Sequence, residues 1–294
     1  MERNASFGPS QRLPRWADQR SRDVSPAWHR QRRAPLLWQA VGASVRAMDA
    51  TDAYTAGHSV RVGYVAGAIG SCLGLTPFEI RLLQLGGGLH DIGKLRVPAA
   101  LIAKQGGLSL DEYRCVMEHT VLGERLLARI RGQYPTITAV VRWHHERIDG
   151  RGLPDGLAGA AIPLPARIVA VADAFDAMTS TRPYRGAVLS TDEAVAELER
   201  SGGTQFDGTC VRGLRVACRD GAVLETARVR AAQPNRLADY LSRLVLGCRG
   251  ASIWPSLWGA RTRCPSRSRG GVAGGDHQGT EPADLAIPGA FAHR

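Results

Sequence analysis

Eight histidines punctuate this 294-residue chain, and five of them, His58, His90, His119, His144 and His145, fall in its middle portion. Any one alone reads as an ordinary structural or surface histidine; their neighbours change the reading. His90-Asp91 is a doublet followed by Ile92-Gly93-Lys94, and His144-His145-Glu146 is a second polar cluster behind the apolar Val140-Val141. Asp173 directly follows the run Ile168-Val169-Ala170-Val171-Ala172, where a buried carboxylate is costly unless it is paired or bound to a metal. Imidazole plus carboxylate without thiolate is a donor set for iron, manganese or zinc in a hydrolytic or oxygen-handling site. Neighbouring helical residues diverge by about 100°. Each adjacent pair is therefore awkward for one ion and suits two ions roughly 3.5–4 Å apart, the spacing of two-metal hydrolases.

Other metal and redox signatures are missing. The zinc-protease spacing His-Glu-x-x-His is absent, and the six cysteines form no Cys-x-x-Cys pair, so neither a zinc knuckle nor a redox pair is indicated. The cysteines read as free thiols of a reducing, cytoplasmic compartment. Among 38 basic residues only Lys94 and Lys104 are lysine. Arginine bias of that strength points to G+C-rich coding, and against it at least one of the two lysines is expected to serve chemistry.

The net charge of +11 invites a nucleic-acid reading, but its distribution does not support one. Residues 1–35 carry 8 basic and 3 acidic groups, residues 36–215 carry 19 and 18, and residues 216–294 carry 11 and 6. The middle is balanced and the excess lies in the two ends, so no DNA or RNA partner is expected. A chain that is 44% hydrophobic is too apolar to be disordered throughout. No run of 18 apolar residues exists to span a membrane, and the arginine-rich start lacks the apolar core of a secretory signal.

The elements that must position these residues read as helices. From Leu36 to about Cys218 apolar residues recur at spacings of three and four, broken at Gly and Pro, without strict alternation, which predicts an all-α domain over 36–218. Residues 1–35 read as a basic flexible arm, too short for a folded sensor domain, and 219–294 as a basic tail of low structure in which only Leu237 to Leu246 has helical character. Ser109-Leu110-Asp111-Glu112 is a capping box that opens a helix through Met117 and His119 toward Ile130, and Ser190-Thr191-Asp192-Glu193 opens another that Gly202-Gly203 stops. Pro163 and Pro165 mark the start of a helix over about Ala166 to Met178. Gly63, Gly67, Gly70 and Gly74 fall along one helix face and predict close helix–helix packing.

The segment from Tyr54 to about Phe206 resembles the HD-GYP domain, the bacterial cyclic di-GMP phosphodiesterase branch of the HD metal-dependent phosphohydrolases. The matching stretches are Tyr54-Thr55-Ala56-Gly57-His58-Ser59, Leu89-His90-Asp91-Ile92-Gly93-Lys94, Glu118-His119 and His144-His145-Glu146-Arg147. They continue with Asp149-Gly150-Arg151-Gly152-Leu153-Pro154, Ala172-Asp173-Ala174-Phe175-Asp176-Ala177 and Arg182-Pro183-Tyr184-Arg185. The resemblance implies a helical bundle of the HD superfamily with flexible tails. It also implies that His58, His90, Asp91, His119, His144, His145 and Asp173 ligate two divalent metal ions, iron or manganese, with Asp91 bridging them. Tyr54 stands where relatives with a third metal have Glu, which argues for two. Lys94 falls on a phosphate-contacting catalytic lysine beside Asp91, and Arg182 and Arg185 on cations that hold substrate phosphates.

The implied reaction is hydrolysis of cyclic di-GMP to linear pGpG, in some relatives onward to GMP, within bacterial signalling. A phosphodiester resists attack, so the chemistry needs hydroxide near pH 7 and neutralisation of developing charge, which two metals and a placed lysine supply. The sequence does not identify the group that protonates the leaving ribose 3′-oxygen. Two departures stand out. The signature Gly-Tyr-Pro reads Gly152-Leu153-Pro154, which loses the ring and hydroxyl at a loop where a diguanylate cyclase or another signalling protein is expected to dock. Gly86-Gly87-Gly88 replaces apolar helix formers just before His90; at about 1 kcal/mol per helical glycine the segment is expected to be loose. Alternatives are a non-catalytic relative that binds a nucleotide or protein, and an HD hydrolase of another phosphorylated nucleotide. A homodimer is compatible with all three.

Overall fold

Three capping boxes open helices among the described residues. In each, a Ser or Thr side chain accepts from the backbone N–H three residues on, while the Glu there accepts from the cap residue's own N–H: Thr76 with Glu79, Ser109 with Glu112, and Ser190 with Glu193. The last two match the sequence expectation, and the structure adds the first. A computed structural model describes residues 53–104, 106–180 and 188–223. The expected N-terminal arm, most of the expected tail and Leu237 to Leu246 lie outside them.

In order the elements are α1 (Ala53–Cys72), α2 (Pro77–Leu89), a 3₁₀ turn (Ile92–Arg96), α3 (Ala99–Ile102), α4 (Leu110–Met117) and α5 (His119–Leu126). They continue with α6 (Pro135–Trp143), a second 3₁₀ turn (Gly159–Ala161), α7 (Leu164–Thr179), α8 (Thr191–Arg200) and α9 (Gly208–Arg219). No strand occurs among the described residues, only two isolated bridges. The fold is all-α, as the spacing of apolar residues predicts.

α7 is the central element. Ile168, Val169, Val171, Ala172, Phe175 and Met178 are all buried, so this helix is apolar on nearly every face and the others wrap it. α1, α2, α6, α8 and α9 all pack on it. Its two carboxylates, Asp173 and Asp176, are buried as well, and a helix in that position retains such groups only where partners compensate their desolvation.

α1 and α2 approach closely along the predicted glycine face. A Cβ on Gly87 would sit 2.9 Å from the Cα of Gly63, one on Gly67 2.6 Å from Gln84, and one on Gly70 2.9 Å from Leu83. Gly86 meets α6 in the same way, 3.0 Å from the Cβ of Val140. The expectation that Gly86-Gly87-Gly88 would be loose is therefore corrected. All three are buried, and at Gly86 and Gly87 the missing side chains let α2 approach Val140 of α6 and the backbone of Gly63 on α1, which offsets their low helix propensity. Gly74 departs from the face pattern: it lies beyond the end of α1 with φ +77° and turns the chain.

The single helix expected from Ser109 toward Ile130 is instead two, α4 and α5, meeting at Glu118. The carbonyls of Val116 and Met117 accept from the side chains of His119 (2.8 Å) and Thr120 (3.0 Å). Side-chain donors at that point compete with backbone N–H groups and bend the chain. The break leaves His119 at the head of α5.

Candidate metal centre

The histidines and carboxylates singled out in the sequence arrive from five elements and converge. His58 is on α1, His119 opens α5, and Asp173 is on α7. His90 caps the C-terminus of α2 and His144 that of α6, so His90-Asp91 and His144-His145 each straddle a helix end. Asp91 already has φ −94° and ψ 5°. The 100° divergence of helical neighbours does not hold there, and the expectation that each adjacent pair would diverge is corrected. His58, His90 and Asp91 each bring one donor atom within 4.8 Å of the others, and His119, His144 and His145 do the same. Two groups of three donors result, with each adjacent pair inside one group.

Asp91 joins the groups. One carboxylate oxygen is 3.3 Å from His90 Nε2 and the other 3.4 Å from His119 Nε2. Asp173 adjoins the first group, its Oδ1 3.0 Å from His58 Nε2. Ring centroids link the whole set, with His58 to His90 at 5.3 Å, His90 to His144 at 5.0 Å and His144 to His145 at 4.1 Å.

The orientation of the rings tests whether a cation fits. Nδ1 of His90, His119 and His144 lies 2.6, 2.8 and 3.0 Å from the carbonyls of Gly87, Val116 and Val140. A carbonyl only accepts, so each Nδ1 carries the proton and each Nε2 offers a lone pair to the centre. Nε2 of His119 and Nε2 of His144 then stand 3.4 Å apart, lone pair toward lone pair. Two acceptors in that arrangement repel unless positive charge lies between them, and a divalent ion satisfies both.

Electrostatics point the same way. Burial pushes His119 down to about 3 and His145 to about 4, and lowers His144 well below its ordinary value, so all three are neutral, the form that ligates metal. Burial would raise Asp91, but His90 and Lys94 outweigh it and hold the carboxyl well below the usual range. Burial would likewise raise Asp173, and the hydrogen bond from His58 reverses the sign. His58 is the exception among the rings. Burial opposes its charge, yet Asp173 and Asp176 together push it up to about 9.

Lys94 places Nζ 2.7 Å from Asp91, whereas Lys104 pairs with Glu112 at 2.6 Å, away from the cluster. The Gly152-Leu153-Pro154 loop packs on the segment that carries the histidine pair. The N–H of Leu153 donates to the carbonyl of His145 at 3.2 Å, and the N–H groups of Asp155 and Leu157 donate to buried Glu146 at 2.7 and 3.0 Å. Arg142 and Trp143 hold Asp155 from the other side. These contacts do not use the side chain at position 153. Arg182, Arg185 and the side chain of Tyr54 lie outside the described residues.

Two residues that sequence reasoning left unassigned stand against the cluster. Asp176 accepts from His58 Nδ1 at 2.7 Å, and Arg61 forks onto Asp176 at 2.5 and 2.8 Å. A signal for them existed: Asp173 and Asp176, and likewise His58 and Arg61, are three apart and share a helix face.

The sequence matches the HD domain family over residues 46–210. Among curated proteins, the cyclic di-GMP phosphodiesterase response regulator RpfG of Xanthomonas campestris pv. campestris is 42% identical over 170 residues, 58% of this chain and 45% of that protein. The 3'3'-cGAMP-specific phosphodiesterase 1 of Vibrio cholerae is 42% identical over 144 residues, 48% of this chain and 32% of that one. A cyclic di-GMP phosphodiesterase of Thermotoga maritima is 39% identical over 156 residues, 53% of this chain and 42% of its own length. The chain spans less than half the length of each of these relatives.

Proposed function

The chain belongs to the HD domain family, and from that premise we propose that it is a metal-dependent phosphodiesterase of the HD-GYP branch that opens cyclic di-GMP to linear pGpG. The observation that carries the proposal is the pair of donor groups joined through Asp91, with Lys94 on the same carboxylate. His58, His90, Asp91 and Asp173 would hold one divalent ion, and Asp91, His119, His144 and His145 the other. Bound there, the ions supply positive charge against the phosphate and make hydroxide available from water near neutral pH.

The chain's own residues account for the rest. Backbone carbonyls fix three imidazoles in the tautomer that faces Nε2 inward, so no reorganisation is needed as donors engage. Asp91 contributes one negative charge to both groups and keeps them adjacent. Lys94, anchored by Asp91, sets a cation at the edge of the cluster where the non-bridging oxygens of a phosphodiester would gain charge in the transition state. Arg182 and Arg185 are proposed to hold the phosphates of the substrate, in keeping with the family pattern.

A second substrate reading rests on one observation: a relative named for 3'3'-cGAMP matches this chain at 42% identity, as does one named for cyclic di-GMP. The test is turnover of both dinucleotides by the purified chain loaded with iron or manganese, with bound metal measured on the same sample. We expect two equivalents of metal and linear pGpG from cyclic di-GMP. Two equivalents of metal with no pGpG formed overturns the proposal, and cleavage of the mixed dinucleotide alone moves it to the second reading.

A further inference from the structure

We infer that Asp176 and Arg61 are positioning residues that act through His58 and set the affinity of one metal position and not the other. The inference rests on the reading that His58 ligates metal. His58 differs from His90, His119 and His144 in how its Nδ1 is held. His90, His119 and His144 each lean on a neutral backbone carbonyl within their own segment, three or four residues away. His58 leans on a carboxylate 118 positions distant, Asp176 Oδ2, at 2.7 Å. A carboxylate behind a ligating imidazole fixes its tautomer and makes its other nitrogen a stronger donor than a carbonyl does.

Asp176 is itself held on every side. Its Oδ1 accepts from Arg61 Nε at 2.5 Å and from Ser180 Oγ at 3.1 Å, while Oδ2 accepts from Arg61 Nη2 at 2.8 Å in addition to His58. The Arg61 fork is bidentate, which defines the plane of the carboxylate as well as its place. Asp176 is 3% exposed, so water does not compete for these contacts. Geometrically the clamp is two pairs of residues three apart, His58 and Arg61 on α1 facing Asp173 and Asp176 on α7. In the inner pair Asp173 Oδ1 stands 3.0 Å from His58 Nε2, and the outer pair holds the inner one in place. Crossing from α1 to α7, the clamp ties the first donor group to the central helix. In the second group, His119 and His144 lean on backbone carbonyls instead.

The experiment is a stepwise manganese titration of the metal-free full chain, following free Mn(II) by electron paramagnetic resonance, for wild type, Asp176→Asn and Asp176→Asn/Arg61→Gln. Asn keeps the shape and an acceptor atom and removes the charge; the double variant removes both charges and leaves no partly buried Arg61 without a counter-ion. In both variants one dissociation constant is expected to rise about 10-fold or more, with the other within about twofold of wild type. Arg61→Lys, which keeps charge and loses the fork, should fall between. If the single variant does not fold, the double variant decides. Two unchanged constants overturn the inference, and so does equal weakening of both, which marks a role in folding alone. A wild-type chain that binds no manganese overturns the metal reading and the inference with it, an outcome distinguishable because it appears before any substitution is made.

Discussion

Gly93→Ala should dismantle the centre without touching a donor atom. Gly93 lies two residues after Asp91, where the 3₁₀ turn runs against α5. A Cβ built there falls 1.8 Å from the carbonyl oxygen of His119, 2.7 Å from its carbonyl carbon and 2.6 Å from the backbone nitrogen of Gly123. All three obstacles are backbone, so no rotamer change relieves them. Restoring even 3.0 Å requires about 1.2 Å of movement between the turn and α5. The residue struck, His119, belongs to one donor group, and the turn that must move begins directly after Asp91 of the other, so the movement opens the 3.4 Å approach of Asp91 to His119. Metal sites tolerate distance errors of about 0.2 Å, several times less than the displacement. Overpacking of this kind costs about 1–3 kcal/mol, a fall in Tm of roughly 3–10 °C for a domain of this size. The assay is metal content by mass spectrometry and Tm by calorimetry, with Gly132→Ala as control, because a Cβ at Gly132 meets nothing within 4 Å. We expect Gly93→Ala to lose at least one of two metals while Gly132→Ala keeps both. Full metal content and wild-type Tm in Gly93→Ala would refute the argument that this joint sets the distance between the donor groups.

Two further outcomes are expected. Lys94→Ala should lower turnover by about 100-fold, the scale of losing one preorganised charge, and Lys104→Ala by less than about twofold, because Lys104 meets Glu112 away from the cluster; equal losses in steady-state kinetics would contradict the assignment. In metal-free protein the buried histidines should make stability fall on both sides of about pH 6.5. His119 and His145, held down at about 3 and 4, stay neutral in the fold while the unfolded chain takes up protons, so stability is lost as pH drops from 6.5. His58, raised to about 9, favours the fold below 6.5, a contribution lost as pH climbs through 9. Each group contributes a slope of up to about 1.4 kcal/mol per pH unit. Calorimetry of chelator-treated protein showing a Tm that rises steadily from pH 5 to 9 would contradict these environments.

Much of this molecule is legible one residue at a time. Capping at Ser109 and Ser190 is local chemistry between residues three apart, and it survives in the fold because no tertiary contact has reason to oppose it. The choice of donor atoms is equally local: imidazoles and carboxylates without thiolates constrain the ion whatever the backbone does. Spacing of apolar residues by three and four was enough to foresee helices and the absence of strands. The structure altered what depends on distance between elements. His90-Asp91 and His144-His145 cooperate within groups because each pair leaves its helix, a fact set by where α2 and α6 end against α1 and α5. Gly86 and Gly87 look like weak points in a one-dimensional propensity account and are contact points in three dimensions, since a glycine's gain lies on another helix. Asp176 and Arg61 read as members of a motif and a background of arginines until the crossing of α1 and α7 brings Asp176 within 2.7 Å of His58, 118 positions away, and within 2.8 Å of Arg61. Local spacing names the groups that can do the chemistry; only packing, which sets distances between residues remote in the chain, decides which of them meet.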